Sequence, residues 1–208
     1  IANGSHAVQP ESTLKDLVGE TILNRVPVSQ HDSRNSDQLI PLGKTSYGTP
    51  ITINRKVEDA DIIITVGGIL FHYFAGFGGG PKMLLPGIAG YETIRINHRR
   101  TIDPDTGLFH PECYEGNIVT NPVYQDLVQI ADRLPCLSFQ VVLRPRGDIF
   151  CSDAGPIIPV QRRLIPRVKE LYTLTIPQKV PVVLASGGGH PTDSNLIQSH
   201  KAIHHAFQ

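Results

Sequence analysis

No apolar run in this 208-residue chain approaches the roughly 20 residues that cross a bilayer. The longest, residues 62–66 continuing into Ile69 and Leu70, is interrupted by Gly67 and Gly68 and reads as a buried strand. Net charge is also absent: 19 basic residues balance 19 acidic ones, which removes the electrostatic reason to expect nucleic acid or an anionic membrane as partner. The basic clusters, Arg95 with Arg99 and Arg100, and Arg162 with Arg163, are small and lack interleaved aromatics, so they read as solvated surface. Cysteine is scarce. Cys113, Cys136 and Cys151 are odd in number and widely spaced, with no C-x-x-C pair; this argues against a disulfide framework or structural zinc site and points to a reducing cytoplasm. What is present, 40% apolar and 18% charged residues, is ordinary for a globular protein long enough to bury a core.

β-rich runs alternate with helical patterns, which predicts an α/β fold. Residues 11–18 read as a short helix between Pro10 and Gly19, and residues 22–28 as a strand followed by a polar loop over 29–38. Strands are expected at 48–54, at 61–66, where β-branched residues dominate, and at 139–143. Residues 121–134 form an amphipathic helix, with Pro122 in its first turn and Val123, Leu127, Ile130, Ala131 and Leu134 on one face. Residues 168–174 read as helix. Residues 180–185 read as a strand that runs through three glycines into a final helix over 194–208. The expected organisation is a mixed α/β N-terminal domain over 1–176 and the first strand–loop–helix unit of a second α/β domain over 177–208.

The chemistry-bearing stretch lies in the Gly-rich region 67–90. Gly78, Gly79 and Gly80 allow close backbone approach, and their N–H groups could cradle an anion. Lys82 just beyond invites comparison with a phosphate-binding P-loop. Pro81 removes a donor, however, and Met83 stands where a magnesium-binding hydroxyl is required, so nucleotide hydrolysis is disfavoured. His72 lies ten residues before Lys82 and His98 sixteen after it, while His6 sits in the turn Asn3-Gly4-Ser5-His6. Each occupies a Gly-, Asn- or Arg-rich turn rather than an amphipathic face. His31 reads as a hydrogen-bonded turn residue, and His110, His200, His204 and His205 as surface.

Asn3-Gly4-Ser5-His6, the stretch 54–61, His72-Tyr73-Phe74-Ala75-Gly76-Phe77-Gly78-Gly79-Gly80, Lys82, Leu85-Pro86-Gly87-Ile88-Ala89-Gly90, Thr93-Ile94 and Asn97-His98 together resemble the nickel-pincer lactate racemase family. The resemblance implies that Lys82 carries a covalently attached pyridinium mononucleotide bearing thioamide and thiocarboxylate groups. It further implies that His98 completes an approximately planar nickel site, a donor set suited to Ni(II), and that His6 and His72 are the acid/base pair. The implied reaction is racemisation or epimerisation of a small 2-hydroxy acid by proton-coupled hydride transfer, with cofactor-synthesis proteins as partners. Pro191-Thr192-Asp193-Ser194-Asn195 with Gln198 and Lys201 resembles the family's substrate-facing helix, where the three-residue spacing places both side chains on one flank. The chain departs from the family at His190 and Ile197, where tyrosines are common, so a pocket different from that for lactate is expected. By the same resemblance, a segment with an Asp-x-Thr-Arg-type motif and most of the second domain lie outside these residues. The alternative reading is a non-catalytic relative that binds an anion at Gly78, Gly79 and Gly80.

Overall fold

The computed structural model describes residues 1–178, 180–190, 193 and 195–207. The fold is α/β, with two compact units, Ile1–Leu171 and Tyr172–Gln208.

In the first unit, α1 (Glu11–Val18) lies between Pro10 and Gly19 as its sequence predicts, and it buries none of its residues. The expected strand over 22–28 is absent. Residues Glu20–Leu23 instead form a one-turn helix, α2, whose turn continues as Asn24 and Val26 donate to the carbonyls of Glu20 and Ile22. A strand requires a neighbour to take its backbone groups. Ile22 and Val26 stand about half exposed, and local helical bonds supply partners instead.

Strands β1 (Leu39–Lys44) and β2 (Pro50–Asn54) pair antiparallel, with Ile40 opposite Ile53. Against them pack α3 (Tyr91–Arg99) and α4 (Pro122–Arg133). Ile40, Ile51, Ile53, Leu84, Leu85, Ile94, Tyr124, Leu127 and Ile130 form one continuous core. α4 starts where its sequence says it should: Asn121 caps it, its side-chain oxygen accepting from the amides of Val123 and Tyr124, and Pro122 occupies the first helical position.

A second layer is the three-stranded sheet β3 (Ile64–Gly68), β6 (Leu137–Leu143) and β7 (Ile149–Pro156), with β6 central, parallel to β3 and antiparallel to β7. Between β3 and α3 lies a small hairpin, β4 (Phe71–His72) with β5 (Gly76–Phe77). Helix α5 (Ile157–Tyr172) buries Val160, Leu164, Ile165 and Val168 with Val142 of β6, Ile69 and Phe77.

The sheet's two faces invert the usual pattern. Thr65, Ser138 and Gln140 point inward, while Ile64, Val66, Leu137, Phe139, Leu143 and Ile149 stand exposed on the other side. In the second unit the described helix is α6 (Leu196–Phe207). Residues 180–185, expected as a strand, have no neighbouring strand among the described residues.

Candidate active site

The hairpin β4–β5 turns over residues 73–75 and enters β5 at Gly76, whose φ of 75° suits glycine; a Cβ there would lie 2.3 Å from the Asn117 carbonyl oxygen. Phe71 and Phe77 stack across the strands at 5.0 Å, and the hairpin presents His72, Tyr73 and Phe74. Phe74 is the hub. The His72 ring meets it edge-on at 4.5 Å, His98 at 5.1 Å, Tyr73 at 4.7 Å, and the Lys82 ammonium lies 5.4 Å from its centroid. Three of the residues singled out in sequence, His72, Lys82 and His98, are therefore brought together on one aromatic ring.

Both histidines are held in a defined orientation. Ala75 donates its amide to Nδ1 of His72 at 3.2 Å, so proton exchange with a ligand falls to Nε2. His98 sits in the last turn of α3 with Nδ1 2.9 Å from the Ile94 carbonyl; Nδ1 therefore carries the proton, and Nε2 keeps its lone pair. Burial, and then the neighbouring Lys82 charge, push the His98 pKa down to about 4, so the ring is neutral at pH 7. Burial raises the Tyr73 phenol.

Lys82 stands on a single 3-10 turn, Gly80–Met83, with Pro81 in its first positions. Beneath that turn lies a buried polar network invisible at the level of motifs. Gly80 donates to Gln140 Oε1 at 2.9 Å. Gln161 Nε2 reaches the Gly78 carbonyl at 3.2 Å, and Tyr124 donates its hydroxyl to Gln161 Oε1 at 2.7 Å. Gln140 also donates to Ser138, as does Thr65. The glycines serve close approach: a Cβ on Gly79 would lie 2.5 Å from the Gly68 oxygen, and one on Gly80 2.4 Å from Gln161 Cδ.

The expected anion cradle at Gly78, Gly79 and Gly80 needs correction. The Gly78 amide donates to Leu70 and the Gly80 amide to Gln140, so two of the three donors face inward. Gln140 and Gln161 are residues that sequence reasoning missed. Their only signal was a polar side chain at a core-facing position of a strand and of a helix.

His6 is exposed, in a turn closed by its own amide donating to Asn3. The turn docks on the loop that follows Lys82. Gly4 donates to the Gly87 carbonyl at 2.9 Å and lies against Pro86. Gln198 and Lys201 both lie on α6, in the second unit, three residues apart along the helix. Most of the turn over 191–195 and the Gln198 side chain lie outside what the structure describes.

Among the described residues no three His, Cys, Asp or Glu side chains converge to hold a metal by themselves. His98 offers one neutral imidazole nitrogen beside a lysine amine, a set that fits a metal whose remaining donors arrive with a lysine-tethered organic group.

Comparison with known proteins supplies the context. A family described as the lactate racemase N-terminal domain matches residues 1–108. The chain is 32% identical over 207 residues to a lactate racemase of Lactiplantibacillus plantarum, covering 98% of this chain and 47% of that protein. It is 31% identical over 205 residues to a lactate racemase of Thermoanaerobacterium thermosaccharolyticum, covering 98% and 46%. The structure of the lactate racemase apoprotein from T. thermosaccharolyticum superposes with a TM-score of 0.88 at 30% identity, covering 96% of this chain and 47% of that one. A Thermotoga maritima protein of 22% identity and TM-score 0.61 shares the fold over 82% of this chain and 44% of its own. The chain thus spans under half the length of the curated relatives it matches. With the family match over its first 108 residues and its fold superposing on a solved lactate racemase, the chain belongs to the lactate racemase N-terminal-domain family.

Proposed function

We propose that these residues form the cofactor-seating part of a racemase or epimerase of small 2-hydroxy acids, with lactate as the reference substrate. The observation that carries this reading is the gathering of Lys82, His72 and His98 on Phe74. Lys82 would hold a nickel-pincer nucleotide through its amine, and His98 would give nickel its Nε2 lone pair, with Nδ1 fixed by the Ile94 carbonyl. When bound, that group supplies a reversible acceptor for the substrate's C2 hydride. His72, through Nε2, and His6 exchange the proton of the 2-hydroxyl, one for each enantiomer. Phe74 and the glutamine-supported glycine turn hold these groups in register and exclude water on one side. Gln198 and Lys201 are the proposed substrate-carboxylate contacts, a role for which a lysine ammonium is suited. Proteins that build the cofactor are the expected partners.

The anion-binding alternative is the weaker reading, because the Gly78 and Gly80 amides already have internal acceptors. The test is production of the protein together with cofactor-building enzymes, followed by peptide mass spectrometry and a chiral assay with D- and L-lactate. Added mass on the Lys82 peptide with interconversion of the enantiomers is expected. An unmodified Lys82 and no interconversion of lactate or other short 2-hydroxy acids would sink the proposal.

A further inference from the structure

His31 reads in sequence as a turn residue, but the fold makes it the tie between the His6 turn and the loop that follows Lys82. The residue is 2% exposed. Nε2 lies 2.9 Å from the Ala89 carbonyl and Nδ1 3.0 Å from Nδ2 of Asn54. The protonation state follows from the partners. Asn54 Oδ1 already accepts the Lys56 amide, and Nδ2 also reaches Gln38 Oε1, so the Asn54 amide cannot turn round. It therefore presents N–H to His31 Nδ1, which must be an acceptor. Nε2 then carries the proton to Ala89, and the ring is neutral.

The backbone of the same residue holds the opening segment. His31 donates to the Ile1 carbonyl at 3.0 Å and accepts from Asn3 Nδ2 at 3.2 Å. Asn3 closes the turn bearing His6, and that turn docks on Gly87, two residues from Ala89. One residue thus grips both sides of the junction that places His6.

We propose that His31 is a positioning residue for His6, a neutral-imidazole clasp that releases the Asn3–His6 turn when the ring takes a second proton. The proposal rests on the role assigned to His6 above. A protonated ring would set Nδ1–H against the N–H of Asn54, whose oxygen is committed elsewhere, and would leave a buried charge. Burial already lowers the His31 pKa, opposed by the Ala89 carbonyl and Asp32 and reinforced by the Ile1 amine. Lys56, bonded to Ser29, is a further charge beside the Ile1 amine; β2 and residues 84–90 carry no ionisable side chain.

The test is nitrogen–proton correlation of the His31 ring, with hydrogen-exchange protection of the Gly4 and His6 amides, from about pH 7.5 to about pH 5. In the wild-type chain a single Nε2–H tautomer is expected, with protection of both amides falling about tenfold or more as the ring is doubly protonated. His31→Gln offers an N–H to Ala89 and an oxygen to Asn54 without titrating, so its protection should stay level. His31→Leu should lose protection at Gly4 and His6 at every pH while β6 amides keep theirs. Unchanged protection around a doubly protonated His31 overturns the proposal, as does a folded His31→Leu chain that still protects Gly4 and His6. If His31→Leu does not fold, wild type against His31→Gln decides. Turnover is read separately in the cofactor-loaded protein, where His31→Gln should flatten the acid limb of kcat. If the clasp holds but His6→Gln keeps full turnover, the reading of His6 falls and the clasp stands.

Discussion

At the scale of single residues, aromatic packing and protonation carry the site. Phe74 is nearly buried and touches both His72 and His98, so truncating it removes packing and orientation together. Phe74→Ala should cost about 3–5 kcal/mol in urea unfolding. Phe74→Leu, which keeps most of the apolar volume, should cost about 1 kcal/mol; under the proposed function it should still weaken nickel retention by the cofactor-loaded protein, because the ring edges no longer meet. Equal nickel retention in Phe74→Leu and wild type would show that the ring does not position His98. His31 makes a pH prediction. Its folded pKa is lowered, so the unfolded chain binds a proton that the folded site refuses. The stability it contributes is complete above the unfolded value of about 6.5 and is lost as pH falls below it. Urea midpoints should therefore fall more steeply between about pH 7 and pH 5 in wild type than in His31→Gln.

At the scale of elements, the glycine turn and the network beneath it form one unit. Gly80 has φ of 51° and no room for a Cβ beside Gln161, so Gly80→Ala should destabilise by about 1–3 kcal/mol. Gln161→Leu strands the Tyr124 hydroxyl and the Gly78 carbonyl, at a similar cost of about 1–3 kcal/mol. Because the two changes share a contact, Gly80→Ala with Gln161→Ala should be non-additive by more than about 0.5 kcal/mol in a double-mutant cycle. Additivity there would mean that the turn and the glutamine do not constrain one another. Elements with local signals were legible in sequence: α4 announced itself by Asn121, Pro122 and its apolar stripe. The 22–28 segment misled because Ile and Val favour strands only where a strand can pair. Helix α3 gave little signal just beyond the glycine-rich stretch, its buried face being Thr93, Ile94 and the polar Asn97.

At the scale of the whole molecule, the exposed sheet face stands out. Ile64 pairs with Leu137 and Val66 with Phe139, and all four side chains are exposed on one side of the sheet. A contiguous apolar patch of this kind takes up apolar dyes. The 208-residue chain should bind such a dye in its native state, and Ile64→Thr with Phe139→Thr should lower the fluorescence severalfold without shifting Tm by more than a few degrees. Undiminished dye fluorescence in the double variant would place the dye elsewhere.

The sequence by itself determined the α/β class and the capped helix α4, because caps and apolar periodicity are local and can be read along the chain. His6, His72, Lys82 and His98 it offered as candidates, through their turn-rich settings and a family resemblance. Tertiary structure alone decided what surrounds them. Phe74 became the hub only when the hairpin, the 3-10 turn and α3 met around it. The Gly78 and Gly80 amides turned inward only because Leu70 and Gln140 lay within reach. His31 became a clasp through partners 23 and 58 residues away in the chain. Buried hydrogen bonds are set by which distant groups share a desolvated space, and that is a property of the packed chain rather than of any stretch of it.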